Sequence, residues 1–315
     1  MPSGETGPDG GVPAAADAQS TRIGCIGLGS MGAPMARRLL AHPGGLTVCD
    51  VRAEAMEQFA AAGAHLADTP AEAAHGAGIV CVTVLDDAQV RRVVAGPDGI
   101  LAAARPPAVV AVHSTISDTA AAELAAQCRA AGVELVDAPI SGGAAGARSG
   151  ELAVMVGGTD AAFAAVRGPF ALFAGLVVHA GAVGAGTRMK LARNLLHFVS
   201  FTAAAEAQRL AEACGLDVAA LGAVVRHSDA VTGGPGAIML RGSTVPVDPG
   251  DPLHPILVHV RDLGEKDLDL ALGLGGREHV DLPLARCALA GLGAGLGVGP
   301  GFLAEAADDE RKGNV

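Results

Sequence analysis

Lys190 and Asn194 stand four residues apart in the stretch GAVGAGTRMKLARN, residues 181–194. The run that follows, Met189–Cys214, contains no Pro and no Gly, and Leu191, Leu195, Phe198, Thr202, Ala205 and Leu210 recur at near-helical spacing. A long helix is therefore predicted, with Lys190 and Asn194 on one face. A titratable ammonium beside a side chain that both donates and accepts hydrogen bonds can move a proton on an oriented ligand. Arg193 and His197 fall on the same face. If it points into the cleft, Arg193 would either depress the lysine pKa or grip a second anionic group; otherwise it points to solvent or the other domain, and His197 is read as a packing residue. A surface lysine beside a polar neighbour has the same spacing, so the preceding chain has to decide between the two.

Two other stretches offer chemistry. In Gly27-Leu28-Gly29-Ser30-Met31-Gly32 the glycines have the spacing of a dinucleotide turn. The first makes the turn, the second lets backbone N–H groups approach a pyrophosphate, and the third lets the next helix pack. Pro139-Ile140-Ser141-Gly142-Gly143 offers a hydroxyl and bare N–H groups, a cradle for a carboxylate.

The surrounding elements supply the context that a glycine turn needs. Thr21–Gly27 is strand-like, Ala33–Leu40 helical, and Leu46–Asp50 a second strand ending in an acid eighteen residues after Gly32. Asp50 can accept hydrogen bonds from a ribose diol. The alternation continues through strands 78–84, 108–113 and 133–137 and helices 51–62, 87–94 and 118–131. Near-continuous apolar strands separated by helices predict a parallel sheet covered on both faces. Ligands on such sheets collect at the carboxyl ends of the strands, here Gly27–Gly32, Asp50, Leu85-Asp86, Ser114-Thr115 and 139–143. Strand-like runs 151–157 and 176–179 flank a helix over 160–173 and complete the first domain. The second half reads as mostly α: helices over 217–226, 236–241, 263–274 and 283–292, a Pro-rich loop over 242–255, and a Gly-rich tail over 291–301.

The fold expected is α/β, a doubly wound dinucleotide-binding (Rossmann-type) domain over 21–183, followed by an all-α domain over 184–307 reached through the long helix. Residues 1–20 read as a disordered lead-in rather than a signal peptide, and 308–315 as a tail. A net charge of −11 with a pI near 5.3 makes nucleic acid and anionic membrane surfaces poor partners. No apolar run approaches a membrane span. The six cysteines are far apart and three lie in strand-like runs, which fits reduced buried thiols in the cytoplasm. His227, His254, His259 and His279 have no ligand spacing, so no metal is expected.

Four stretches in order resemble the β-hydroxyacid dehydrogenases: IGLGSMGAPMARRL at 26–39, DAPISGGAAGARSGEL at 137–152, GAGTRMKLARN at 184–194 and KDLDLAL at 266–272. That resemblance implies a catalytic lysine at Lys190, a substrate contact at Asn194 and a carboxylate site at Ser141, Gly142 and Gly143. It places Ser114 and Thr115 by the nicotinamide side of the cofactor and brings Lys266 to the cofactor from the second domain. Arg261-Asp262 is a second Lys-Asp-like pair upstream of Lys266. The family pattern Lys-x-x-Asn-Asn departs here, with Arg193 in place of the first Asn. The expected reaction is hydride transfer between NAD and a small β-hydroxy acid or its semialdehyde, in a homodimer or homotetramer. Asp50, with Val51 beside it, favours NAD by repelling a 2′-phosphate, while Arg52 leaves NADP open. The alternatives are an imine reductase-like enzyme, which normally lacks a lysine at this position, and a non-catalytic interaction module on the same fold.

Overall fold

The computed structural model describes residues 21–234, 245–299 and 301. The expected lead-in 1–20, the helix over 236–241, the first part of the 242–255 loop and the tail 308–315 lie outside the described residues. The chain forms two compact units, one ending at Asn194 and the other beginning at Leu195.

The first unit is built on one mixed sheet, in which nine strands are described. β1 (Ile23–Ile26), β2 (Leu46–Cys49), β4 (Ile79–Val82) and β5 (Val109–Val112) are buried at every position. β3 is the exposed pair His65–Leu66, and β6 runs from Glu134 to Asp137. These six strands are parallel in the order β3-β2-β1-β4-β5-β6. The order reverses between β1 and β4, the switch point at which a crevice opens in doubly wound sheets. Helices α1 (Gly32–Leu39), α2 (Ala53–Ala60), α3 (Pro70–Ala74), α4 (Asp87–Ala95) and α5 (Asp118–Ala130) connect the strands. The core is two apolar clusters of mostly Val, Ile, Leu and Ala. Phe59, Phe170 and Phe173 are buried in one, and Ile100 and Leu124 in the other. Each such side chain contributes about 1.5–3 kcal/mol by leaving water.

The sheet is not wholly parallel. Beyond β6 come β7 (Ile140–Ser141), α6 (Gly143–Ser149), β8 (Leu152–Gly157), α7 (Asp160–Phe170) and β9 (Ala174–Gly181). β8 is antiparallel to β6 and β7 and parallel to β9. The chain turns back here as a hairpin: β8 returns beside both β6 and β7, with Asp137 opposite Gly157 and Ser141 opposite Ala153.

α8, Ala185–Ala213, is the long helix expected, and it runs through the boundary between the units. Its predicted apolar stripe does not face inward: Leu191 and Leu195 are exposed, whereas Lys190 is buried. The second unit continues with α9 (Val218–Thr232), α10 (His254–Arg277) and α11 (Pro283–Leu296). Two expectations are corrected here. The Pro-rich loop ends at Leu253, because Pro255 sits in the first turn of α10, where a missing N–H costs nothing. The Gly-rich stretch from 291 is helical as far as Leu296 and stops at left-handed Gly297. Gly293 lies against the backbone of Gly299, where a side chain would collide, so this glycine serves packing rather than disorder. Among the described residues no helix is long and apolar enough to cross a membrane.

Candidate active site

Strand register brings the expected residues to one edge. Cys49, Ile26, Val82, Val112 and Asp137 are successive Cα partners across the sheet. The residues just beyond that row are Asp50, Gly27, Thr83, His113 and Ala138, so the ends of β1, β2, β4, β5 and β6 open on one side.

The glycine turn divides its labour. Gly27 has φ +90° and lies against the carbonyl of Thr83, where only glycine fits. Gly32, at the start of α1, packs on the carbonyl of Gly27 and leaves no room for a Cβ. Gly29 has nothing within 4 Å of the position a Cβ would take. The turn is thus fixed at both ends and open in the middle, which is what close approach by a pyrophosphate requires. Leu28 is buried beneath it, Met31 is half-buried, and Ser30 is exposed.

Asp50 is tied into that turn. Its Oδ2 accepts the Leu28 amide at 2.6 Å, and its Oδ1 accepts the Arg52 amide at 2.9 Å and Arg52 Nε at 3.2 Å. Partial burial pushes the Asp50 carboxyl upward, but these donors outweigh it and hold the group below its ordinary range. Val51 and Leu85 are exposed apolar side chains at the ends of β2 and β4, free to flank a flat ring. Open Gly29, anionic Asp50 and these two side chains fit a bound dinucleotide. Ser114 is placed differently from the rest. Its hydroxyl donates to the Val84 carbonyl at 2.7 Å and accepts the Val84 amide at 2.9 Å, clasping the ends of β4 and β5, while neighbouring Thr115 is exposed.

Ser141 is half-buried in β7, and Gly142 and Gly143 take φ +130° and +64° as α6 begins. Space about Gly143 is open.

Lys190 is 9% exposed, and among the described residues no hydrogen bond or ion pair reaches its ammonium. Burial, and next the charge of Arg193, hold its pKa below that of an ordinary lysine. Arg193 is exposed and its Nη1 donates to Asn194 Oδ1 at 3.3 Å. In the second unit, Lys266 is exposed on α10 and pairs with Asp267 at 2.8 Å, and Arg261 pairs with Asp262 at 2.7 Å. Among the described residues no cluster of three or more His, Cys, Asp or Glu side chains can hold a metal.

The sequence pattern marks Asp137 only as the end of a strand. The side chain is 0% exposed. Its Oδ1 accepts the Gly184 amide and its Oδ2 the Thr187 amide, each at 2.6 Å. Burial pushes its carboxyl upward, only partly offset by those two amides. The available signal was an acid closing an apolar strand.

Residues 22–181 match the family described as the NAD binding domain of 6-phosphogluconate dehydrogenase. With the site above, this defines an NAD-binding oxidoreductase. An uncharacterized oxidoreductase of Mycobacterium tuberculosis is 59% identical over 280 residues, 89% of this chain and 95% of its own. L-threonate dehydrogenase of Cupriavidus necator is 34% identical over 272 residues, 85% of this chain and 88% of its own. The chain belongs to the β-hydroxyacid dehydrogenase family. Among solved structures, an oxidoreductase of Mycobacterium avium is 56% identical with TM-score 0.85, over 89% of this chain and all of that one. The M. tuberculosis 3-hydroxyisobutyrate dehydrogenase, solved with L-serine, is 32% identical with TM-score 0.61, over 92% and 99%. An imine reductase of Myxococcus stipitatus solved with NAD+ shares the fold alone, at 20% identity and TM-score 0.68 over 91% and 98%.

Proposed function

We propose that this chain is a dehydrogenase or reductase acting on a small β-hydroxy acid or its semialdehyde, with Lys190 exchanging the hydroxyl proton. The observation that carries the reading is a buried lysine with no counter-ion among the described residues, on a helix anchored at the edge of the sheet that bears the dinucleotide turn. Relatives support the substrate class: one is named for L-threonate, and one was solved with L-serine, itself a β-hydroxy acid.

The nicotinamide ring supplies the hydride acceptor or donor. Every other step falls to the chain. Ser141, Gly142 and Gly143 hold the substrate carboxylate through a hydroxyl and bare amides, and Asn194 orients the substrate. In the reductive direction Lys190 gives a proton from its ammonium to the forming hydroxyl. In oxidation the neutral amine takes that proton, and burial together with Arg193 makes the neutral form accessible nearer neutrality. NAD is favoured over NADP because Asp50 stays ionised where a 2′-phosphate would lie, although Arg52 beside it softens the preference. Lys266 is a further residue proposed for cofactor binding.

The enzyme is proposed to be cytoplasmic, a setting that suits the buried thiols of Cys25, Cys49, Cys81 and Cys128. It is proposed to be a homodimer or homotetramer, because α9 buries none of its residues within this chain. The test is a screen of nicotinamide absorbance with NAD and NADP against 3-hydroxyisobutyrate, D-glycerate, serine, L-threonate and 3-hydroxypropionate, in parallel with Lys190→Ala. Turnover with one of these acids, lost at least 100-fold in the variant, is expected. Wild-type turnover in Lys190→Ala would remove the lysine from the reaction.

A further inference from the structure

The first turn of any helix carries amides that lack partners within the helix, and the turn is mobile unless something takes them. In α8 those partners come from far away in sequence. Asp137, the last residue of β6, accepts the Gly184 amide with one oxygen and the Thr187 amide with the other. Both distances are 2.6 Å, short in the way of charge-assisted bonds, and the carboxylate meets the positive end of the helix dipole. The backbone closes the joint further. A Cβ on Gly186 would collide with the carbonyls of Met155 and Asp137, and one on Gly157 would collide with Asp137 Oδ1. Helix and sheet edge are therefore in contact through glycines, with a buried carboxylate as the pin. Lys190 follows Thr187 by three residues and so sits on the helix directly above the pinned amide.

We infer that Asp137 is a positioning residue for Lys190: by binding the Gly184 and Thr187 amides it fixes the first turn of α8 on the edge where the dinucleotide turn lies. The inference rests on the lysine reading proposed above. Asp137 acts through position rather than charge, since the effects that shift Lys190 are burial and Arg193 alone. Displacing a reacting group by about 1 Å can cost on the order of 100-fold in rate.

The experiment compares wild type with Asp137→Asn, Gly186→Ala and Lys190→Ala, each verified as folded by circular dichroism. Asparagine keeps an acceptor for one amide and places an NH2 group against the other. Gly186→Ala pushes the helix off the sheet and leaves the carboxylate intact. NADH affinity, turnover with the best acid of the screen, and titration of [ε-13C]lysine resonances are followed. The last needs no substrate, and a chain with three lysines gives three signals. In wild type the Lys190 signal is expected to titrate below the other two. In Asp137→Asn and Gly186→Ala it should move up toward them, with kcat falling about 10- to 100-fold while KM and NADH affinity change less than about threefold. Wild-type kcat and an unmoved Lys190 titration in both folded variants would overturn the inference, even with Lys190→Ala inactive. Full activity in Lys190→Ala would instead overturn the lysine reading on which it rests.

Discussion

Lys190 is buried at a cost, and the cost has a measurable sign. Burial and Arg193 lower its folded pKa, whereas in the unfolded chain a lysine titrates near ~10.4. Between those two values the unfolded state binds more protons, so stability rises with pH through that window; below it the full penalty of the buried ammonium remains. Lys190→Met removes the charge that burial disfavours and should therefore raise the calorimetric unfolding midpoint at pH 7. It should abolish turnover at the same time. A lower midpoint would show that the ammonium is satisfied after all. Arg193 makes a separate prediction. Arg193→Asn removes the second of the two causes, so the Lys190 pKa rises and the ascending acidic limb of the oxidation pH–rate profile moves to higher pH. An unchanged profile would mean that the guanidinium matters for substrate grip instead.

α1 and the turn before it show how one motif can hold glycines with opposite duties. Gly32→Ala should lower stability by about 1–3 kcal/mol, because its Cβ meets the Gly27 carbonyl. Gly29→Ala, with nothing near its Cβ, should leave denaturant unfolding unchanged and weaken NADH binding measured by fluorescence titration. Equal effects on stability would mean that the two glycines are not distinguished in this way. The motif was legible in sequence because strand, turn and second strand are adjacent, and the apolar runs at 23–26, 46–49, 79–82 and 109–112 announced the parallel sheet. β3 and β7 were not legible, since two residues carry no periodicity. The antiparallel sense of β8 was hidden because direction depends on the connection, not on the strand. Helical glycines in α11 read as a tail, because their reason is a neighbour's backbone. The pairing of Asp137 with amides 47 and 50 residues away left no local pattern at all.

At the scale of the molecule the second unit is short of burial. α9 has no buried residue, and Val224, Val225 and Val231 are exposed along it. An isolated helix of 15 residues is marginal in water, so most of its stability has to come from packing against something else. Light scattering on the eluted protein should therefore give a dimer or tetramer, and Val231→Asp should shift it toward smaller species. A wild-type monomer at micromolar concentration would contradict this. Substrate identity is the least legible property of the chain, because no motif in the sequence specifies the side chain of a substrate.

The pin between Asp137 and Thr187 also bears on how the molecule folds. Fifty residues separate the two, and β8 and β9 lie between them. Closing so long a loop carries an entropic penalty that local contacts escape. The glycine turn carries a like penalty, because Gly27 rests on the Thr83 carbonyl just beyond β4. Neither contact can form from a local stretch of chain, so the edge that bears both is completed only as the sheet itself assembles.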